Sequence, residues 1–197
     1  AHSGVARTAI ANLEKNATSA RQSSLEALYN TFSAANITLL GKTGVKEKED
    51  EVELFTGEQH LQKLWDNIIF TLGNGGGEVL ITNVDEKRTL EQAQGDLYKH
   101  LDRIKKKGIT ERLLSCEGDT LFLMPKECYR WIPQDVFTQS TATFIYANKV
   151  AYFLWSSQVV ILVHCDQASK AERDRFEYMW DKAIIPPEQS TLVIKTA

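Results

Sequence analysis

The sequence predicts an α/β fold: a mixed sheet flanked by helices and preceded by a long N-terminal helix. Three observations carry this. From residue 52 onward strand, helix, strand and helix alternate before several consecutive strands and a closing helix, the order expected of helices packed on a mixed sheet. A hydrophobic content of 43% over 197 residues suffices for one sizeable core plus an appendage. Between Val5 and Phe32 apolar residues recur mostly in steps of three and four, at Ala9, Leu13, Ala17, Ala20, Leu28 and Phe32, as one stripe of an amphipathic helix does.

A helix of about 30 residues would extend on the order of 45 Å, long for a compact small domain. Its Ala-rich stripe suits close packing against another helix, either of a partner copy or of the body. The other reading is an ordinary core helix broken near Asn16 or Ser23-Ser24. Residues 1–40 are accordingly expected to be a helical segment for dimerisation, or a remnant DNA-binding helix. Residues 41–51, "GKTGVKEKEDE", mix glycine with both charge signs and read as an exposed linker. Residues 52–185 form the expected α/β domain and 186–197 a tail.

Within that domain a strand is expected at Val52 to Phe55, a helix at Glu58 to Leu72, the turn "GNGGGE" at Gly73 to Glu78 and the strand "EVLITNV" after it. Thr89 to Lys107 reads as a helix with Leu90, Leu97, Leu101 and Ile104 on one side and Gly108 as its cap. "TERLLSCE", the hairpin "TATFIYANKVAYFLW" and "QVVILVH" supply further strands. A last helix runs from about Gln167 to Ala183 and is stopped by Pro186-Pro187.

Several chemistries lack their groups. The formal charge of -3 and pI near 5.9 give no basic footprint for wholesale polyanion binding. Cys116, Cys128 and Cys165 are isolated, without metal-ligand spacing, and His2, His60, His100 and His164 show no paired spacing. No metal and no cofactor is expected, and the reduced thiols suit the cytoplasm. No apolar run approaches the roughly 18 residues of a membrane span, so no membrane partner is expected. "GNGGGE" lies between a helix and a strand, whereas a phosphate loop follows a strand and opens a helix, so it reads as a turn. The "KKKG" run with Arg103 complements a helix dipole without any ligand. His164 reads as a structural histidine ending an apolar strand. Trp131 in the irregular "YRWIP" either packs in the core or lines a cleft with Arg130, a pairing suited to stacking on a sugar or base.

The segments "VELFTGEQHLQKLWDNII", "KKKGITERLL", "YRWIP", "ATFIYANKVAYFLW" and "FEYMWDKA" resemble, in order and spacing, the phospholipase-D-like C-terminal domain of TrmB-type transcriptional regulators. The resemblance covers roughly Val52 to Ala183 and implies a phospholipase-D-like half as the α/β body. Active members of that superfamily carry His-x-Lys-x4-Asp entering such a hairpin. Here Ser140 stands at the His position, Ala142 at the Lys position and Ala147 at the Asp position, so neither the nucleophile nor the phosphate-binding cation is present. The resemblance implies a non-enzymatic sensor and dimerisation module of transcription-regulator type with a small polar effector such as a sugar, and Asn83, Arg130, Trp131, Ser140 and Ala142 are the candidate ligand-binding residues. Ser3 to Lys15 resembles the turn and recognition helix of a winged helix-turn-helix, which makes Arg7, Lys15 and Arg21 the candidate DNA-binding residues. DNA binding is expected only with a complete helix-turn-helix. A homodimer is expected, because a lone half exposes sheet that relatives cover with a second half. The alternatives are a phosphodiesterase or nuclease whose groups converge from distant positions, for example His100, His164 and Lys149, and a DNA-binding protein using the N-terminal helix.

Overall fold

The computed structural model describes residues 5–15, 22–34, 37–39, 45–47, 51–73 and 75–187. The chain divides into two compact units, residues 1–50 and 51–197.

In the first unit, α1 (Arg7–Glu14) and α2 (Gln22–Ala34) are separate helices. Of the two readings of this segment, the continuous helix is corrected and the break near Asn16 matches: α1 ends at Glu14, Lys15 lies in a turn and α2 begins at Gln22. Two short strands, β1 (Ile37–Leu39) and β2 (Val45–Glu47), pair antiparallel with Leu39 opposite Val45. The segment read as a plain linker, 41–51, thus contributes a strand of its own.

The second unit is a seven-stranded mixed sheet with helices on both faces, as the strand–helix alternation predicts. Its strands are β3 (Glu51–Phe55), β4 (Gly77–Val84), β5 (Ile109–Cys116), β6 (Tyr129–Ile132), β7 (Thr141–Tyr146), β8 (Lys149–Leu154) and β9 (Val159–His164), in the spatial order β3-β9-β8-β7-β4-β5-β6. β4, β5 and β6 run parallel, and the other pairings are antiparallel. Because successive strand residues point to opposite faces, Val79, Ile81 and Leu113 join one core, while Leu80, Leu114 and Ile145 join the other. Helices α3 (His60–Leu72) and α4 (Glu86–Lys106) cover the first face with Leu61, Leu64, Trp65, Ile68, Leu97 and Ile104. Helix α5 (Asp166–Lys182) covers the second with Phe176 and Trp180. On that side Arg112 donates to both carboxylate oxygens of Glu78 at 2.8 and 3.0 Å and of Glu177 at 2.8 and 2.6 Å, tying β4 and β5 to α5.

Helix α4 begins where the sequence places an acid: the Asp85 carboxylate accepts from the Arg88 backbone N–H at 2.9 Å, a normal N-cap. The helix is interrupted at Ala93, whose φ of -138° leaves the helical region two residues before Gly95. Glycine is the weakest helix former after proline, which makes this the place for a bend.

The glycine-rich segment 73–78 is a turn from α3 into β4. Gly76 has φ +73°, and a Cβ there would stand 2.9 Å from the Gly108 carbonyl oxygen. Gly76→Ala is therefore expected to lower stability by about 2–3 kcal/mol, combining left-handed strain with a backbone clash. Gly75→Ala meets open space and should stay within about 0.5 kcal/mol of the parent in the same urea unfolding measurement.

Candidate functional site

Between the sheet and helices α3 and α4 lies a cavity of about 50 Å³, room for about four waters or a guest of four or five heavy atoms. Its walls are largely apolar and aromatic: Leu61 and Trp65 from α3, Ile81 and Val84 from β4, Leu113 from β5, Ala142 and Phe144 from β7, Phe153 from β8 and Trp155 after it. Phe153 and Trp155 meet edge to face with centroids 4.5 Å apart. A shallower cleft of about 360 Å³ shares Leu61 and Trp65 with it and is lined by Glu58, His60, Asp96 and several glutamines.

Into these apolar walls the fold inserts three acids, Asp85, Glu86 and Glu111, and a histidine. Glu86 is the first residue of α4, where the helix start turns it toward the sheet. Its carboxylate accepts from the Tyr129 hydroxyl, which itself accepts from the Leu123 and Met124 backbone N–H groups at 3.2 and 3.1 Å. Burial above all, and the charges of Asp85 and Asp119, raise its pKa to about 7 against the lowering by Tyr129. Glu111 lies on β5 between the inward residues Ile109 and Leu113, with 6% of its surface exposed and no hydrogen bond or ion pair to any described residue. Burial, with the Glu86 charge second, pushes its pKa to about 8. His100 stacks flat on Trp65, with centroids 4.8 Å apart and 8° between planes, and its Nδ1 is buried without a hydrogen-bond partner. Burial and then Arg103 lower its pKa to about 3, so the ring is neutral. Neither Lys nor Arg lines the cavity; Arg88 lies 4.8 Å over the Trp155 ring but is not one of the lining residues.

Of the candidate ligand-binding residues, Ala142 alone is among the described residues that line this cavity. The Asn83 side chain accepts from the Thr138 backbone at 3.0 Å, and the Ser140 carbonyl accepts from Trp155 N–H at 3.1 Å. Arg130 and Trp131 do not share a cleft, which corrects that expectation: neighbours on β6 face opposite sides. Arg130 donates to the Trp180 carbonyl at 2.6 Å and lies 4.6 Å over its ring on the α5 side. Trp131 packs against the opposite core. Arg7 and Lys15 are exposed, and Arg21 lies outside the described residues. Of the distant triplet, His100 lines the cavity, while Lys149 and His164 are register partners on β8 and β9 and do not.

A second polar cluster surrounds that register pair. His164 Nε2 is 2.6 Å from Glu53 Oε1, and Lys149 Nζ donates to Asn67 Oδ1 and Thr71 Oγ1, both at 2.9 Å. Tyr146 donates to the same Asn67 oxygen at 3.0 Å. Glu51, Glu53 and His164 bring three potential ligand atoms within 4.8 Å of one another, the residues best placed among those described to hold a metal ion. Strand pairing produces this group, which no spacing in the sequence displays.

No protein-family model and no curated protein matches the chain. Among solved structures, the chain is similar to a phospholipase D family member, Nuc, from Salmonella typhimurium, at 12% identity and a TM-score of 0.47 over 68% of this chain and 97% of that one. It is similar to NucT from Helicobacter pylori at 10% identity and a TM-score of 0.47, over 70% of this chain and all of that one. A third is TrmBL2, described as an archaeal chromatin protein with a novel mode of DNA binding, at 15% identity and a TM-score of 0.47; the match covers 90% of this chain and 65% of TrmBL2. The expectation that the chain is not an enzyme is corrected by the similarity to a phospholipase D family member.

Proposed function

We propose that the α/β body receives a small molecule in the cavity beneath Trp65 and Phe153 and serves as the ligand-sensing part of a transcription regulator. The observation that carries this is Glu111, an acid with no hydrogen-bond partner among the described residues, in the wall of an aromatic cavity. A lone buried carboxyl costs stability and contributes no packing that an apolar residue could not, so it is accounted for by a guest that it contacts. A phosphodiester suits the site poorly, since it brings negative charge to walls with three acids and, among the described residues, neither Lys nor Arg. In this reading the 1–50 unit is where copies of the chain associate, and deleting it should lower the mass measured by sedimentation to that of a monomer.

A second reading is supported by the carboxyl pair. With pKa values of about 7 and 8, Glu86 and Glu111 are held where an acid can donate a proton at neutral pH. The cavity would then act on its guest by general acid–base catalysis, and Glu111→Gln would abolish turnover.

Ala142→Phe tests the cavity itself. Ala142 is 2% exposed and lines the wall, so a ring there fills the space at a stability cost of about 1–3 kcal/mol. A molecule found by thermal-shift screening of the parent should lose at least about tenfold in affinity, equal to 1.4 kcal/mol. Unchanged affinity in a folded Ala142→Phe protein, judged by circular dichroism, would sink the proposal.

A further inference from the structure

The cavity wall combines features that narrow the chemistry of its guest. Three acids line it, Asp85, Glu86 and Glu111; Glu111 has no hydrogen-bond partner among the described residues, and no cationic side chain is among the described lining residues. The rings of Trp65, Phe144, Phe153 and Trp155 line it too, and aromatic π faces carry partial negative charge. Trp155 already carries the Arg88 guanidinium over its ring; the carboxylates and the other rings attract a positive guest. Space narrows the choice further: room for four or five heavy atoms excludes a sugar ring with its hydroxyls. A hydrated divalent metal is disfavoured because the group of three potential ligands lies elsewhere, at Glu51, Glu53 and His164, and the cavity offers aromatic carbon where such an ion needs oxygen.

We propose that the cavity takes a small organic ammonium ion, its nitrogen between the Glu86 and Glu111 carboxyls and its carbon substituents against Trp65, Phe144 and Phe153. This rests on the reading of the cavity as a small-molecule site and names the ligand class. No covalent bond forms. The guest enters with one positive charge, and each carboxylic acid that ionises against it passes its proton to solvent. The groups around the acids are Tyr129, Asp85 and Asp119 at Glu86, and Glu86 and Cys128 at Glu111. Arg103 and Asp66 bear on the neutral His100. Among the described residues none of these supplies a cation to either carboxyl, so a guest's positive charge favours their ionised form.

The test titrates the full chain with tetramethylammonium and ethylammonium, by calorimetry in two buffers of different ionisation heat and by tryptophan fluorescence. Neutral tert-butanol, glucose and magnesium chloride serve as comparators. Saturable ammonium binding, proton release at pH 7, at least tenfold tighter binding at pH 9 than at pH 6, and at least tenfold weaker binding in Glu111→Gln are expected. Glu86→Gln should weaken binding in the same direction, and circular dichroism checks that both variants fold. Equal affinity for tert-butanol, binding of magnesium alone, or no binding of any probe overturns the proposal. So does ammonium binding that is indifferent to pH and to Glu111→Gln. If glucose or tert-butanol binds and Ala142→Phe removes it, the small-molecule cavity stands and the ammonium assignment falls. If ammonium binds but Ala142→Phe leaves it unchanged, both fall.

Discussion

Phe176→Ala is expected to lower the unfolding free energy by about 3–5 kcal/mol, the range for removing a fully buried ring, with the melting temperature falling on the order of 10 °C. Phe176 has no exposed surface and stacks on Trp180 at 5.5 Å, and the Arg112 guanidinium lies 5.2 Å over its ring. The α5-side core is small, consisting of Leu80, Leu114, Ile132, Ile145, Phe176 and Trp180 with a few half-buried neighbours, so little can move in to fill the space. The deletion also uncovers the apolar side of Arg112 while its bonds to Glu78 and Glu177 persist, and that anchored cation limits collapse. Phe70→Ala is the control: its ring is 61% exposed on α3 and its loss should stay within about 0.5 kcal/mol. Urea unfolding of the three proteins checks both, and equal losses would mean that α5 does not pack on the sheet as described.

What could be read from the sequence follows period and local chemistry. The α3, α4 and α5 segments show apolar steps of three and four with clear stops, and the structure bounds them at His60–Leu72, Glu86–Lys106 and Asp166–Lys182, within a few residues of expectation. The hairpin 141–154 alternates and turns at Ala147-Asn148. The site was less legible. Glu111 stands at an inward position of β5 between Ile109 and Leu113, but the same strand carries Thr110, Arg112 and Ser115, so the sequence does not mark the acid as buried. Glu86 looks like any first-turn acid that favours a helix dipole; nothing local in the sequence shows that its charge acts on Glu111. Arg130 and Trp131 fail as a pair because adjacency in sequence is opposition in a strand. The N-terminal stripe is legible as helix, but a stripe of alanines does not by itself decide between one helix and two, so the continuous and broken readings both stand until α1 and α2 are seen.

The largest pH effect should come from the two cavity acids. In the unfolded chain a glutamate titrates near its ordinary 4.5, whereas folding holds Glu86 at about 7 and Glu111 at about 8. Between those values the folded state keeps protons that the unfolded state has released, so stability is full below about pH 4.5 and is lost as pH rises through 7 and 8. At about 1.4 kcal/mol per pKa unit, each acid accounts for on the order of a few kcal/mol. His100 works in the opposite sense: its folded pKa of about 3 against 6.5 means that stability is lost as pH falls below 6.5. Glu177, lowered chiefly by its bonds to Arg112, adds to the loss on the acid side. The sum of these groups places maximum stability near pH 5, with a decline toward pH 9. Glu111→Gln removes the larger alkaline contribution while keeping shape. It should match the parent near pH 5 and exceed it by about 2–4 kcal/mol at pH 9. Urea unfolding at pH 5, 7 and 9 reads this directly. A parent whose stability is flat over that range, or a Gln variant that declines as steeply, would show that Glu111 is not held neutral in the cavity and would remove the proton release on which the ammonium assignment depends.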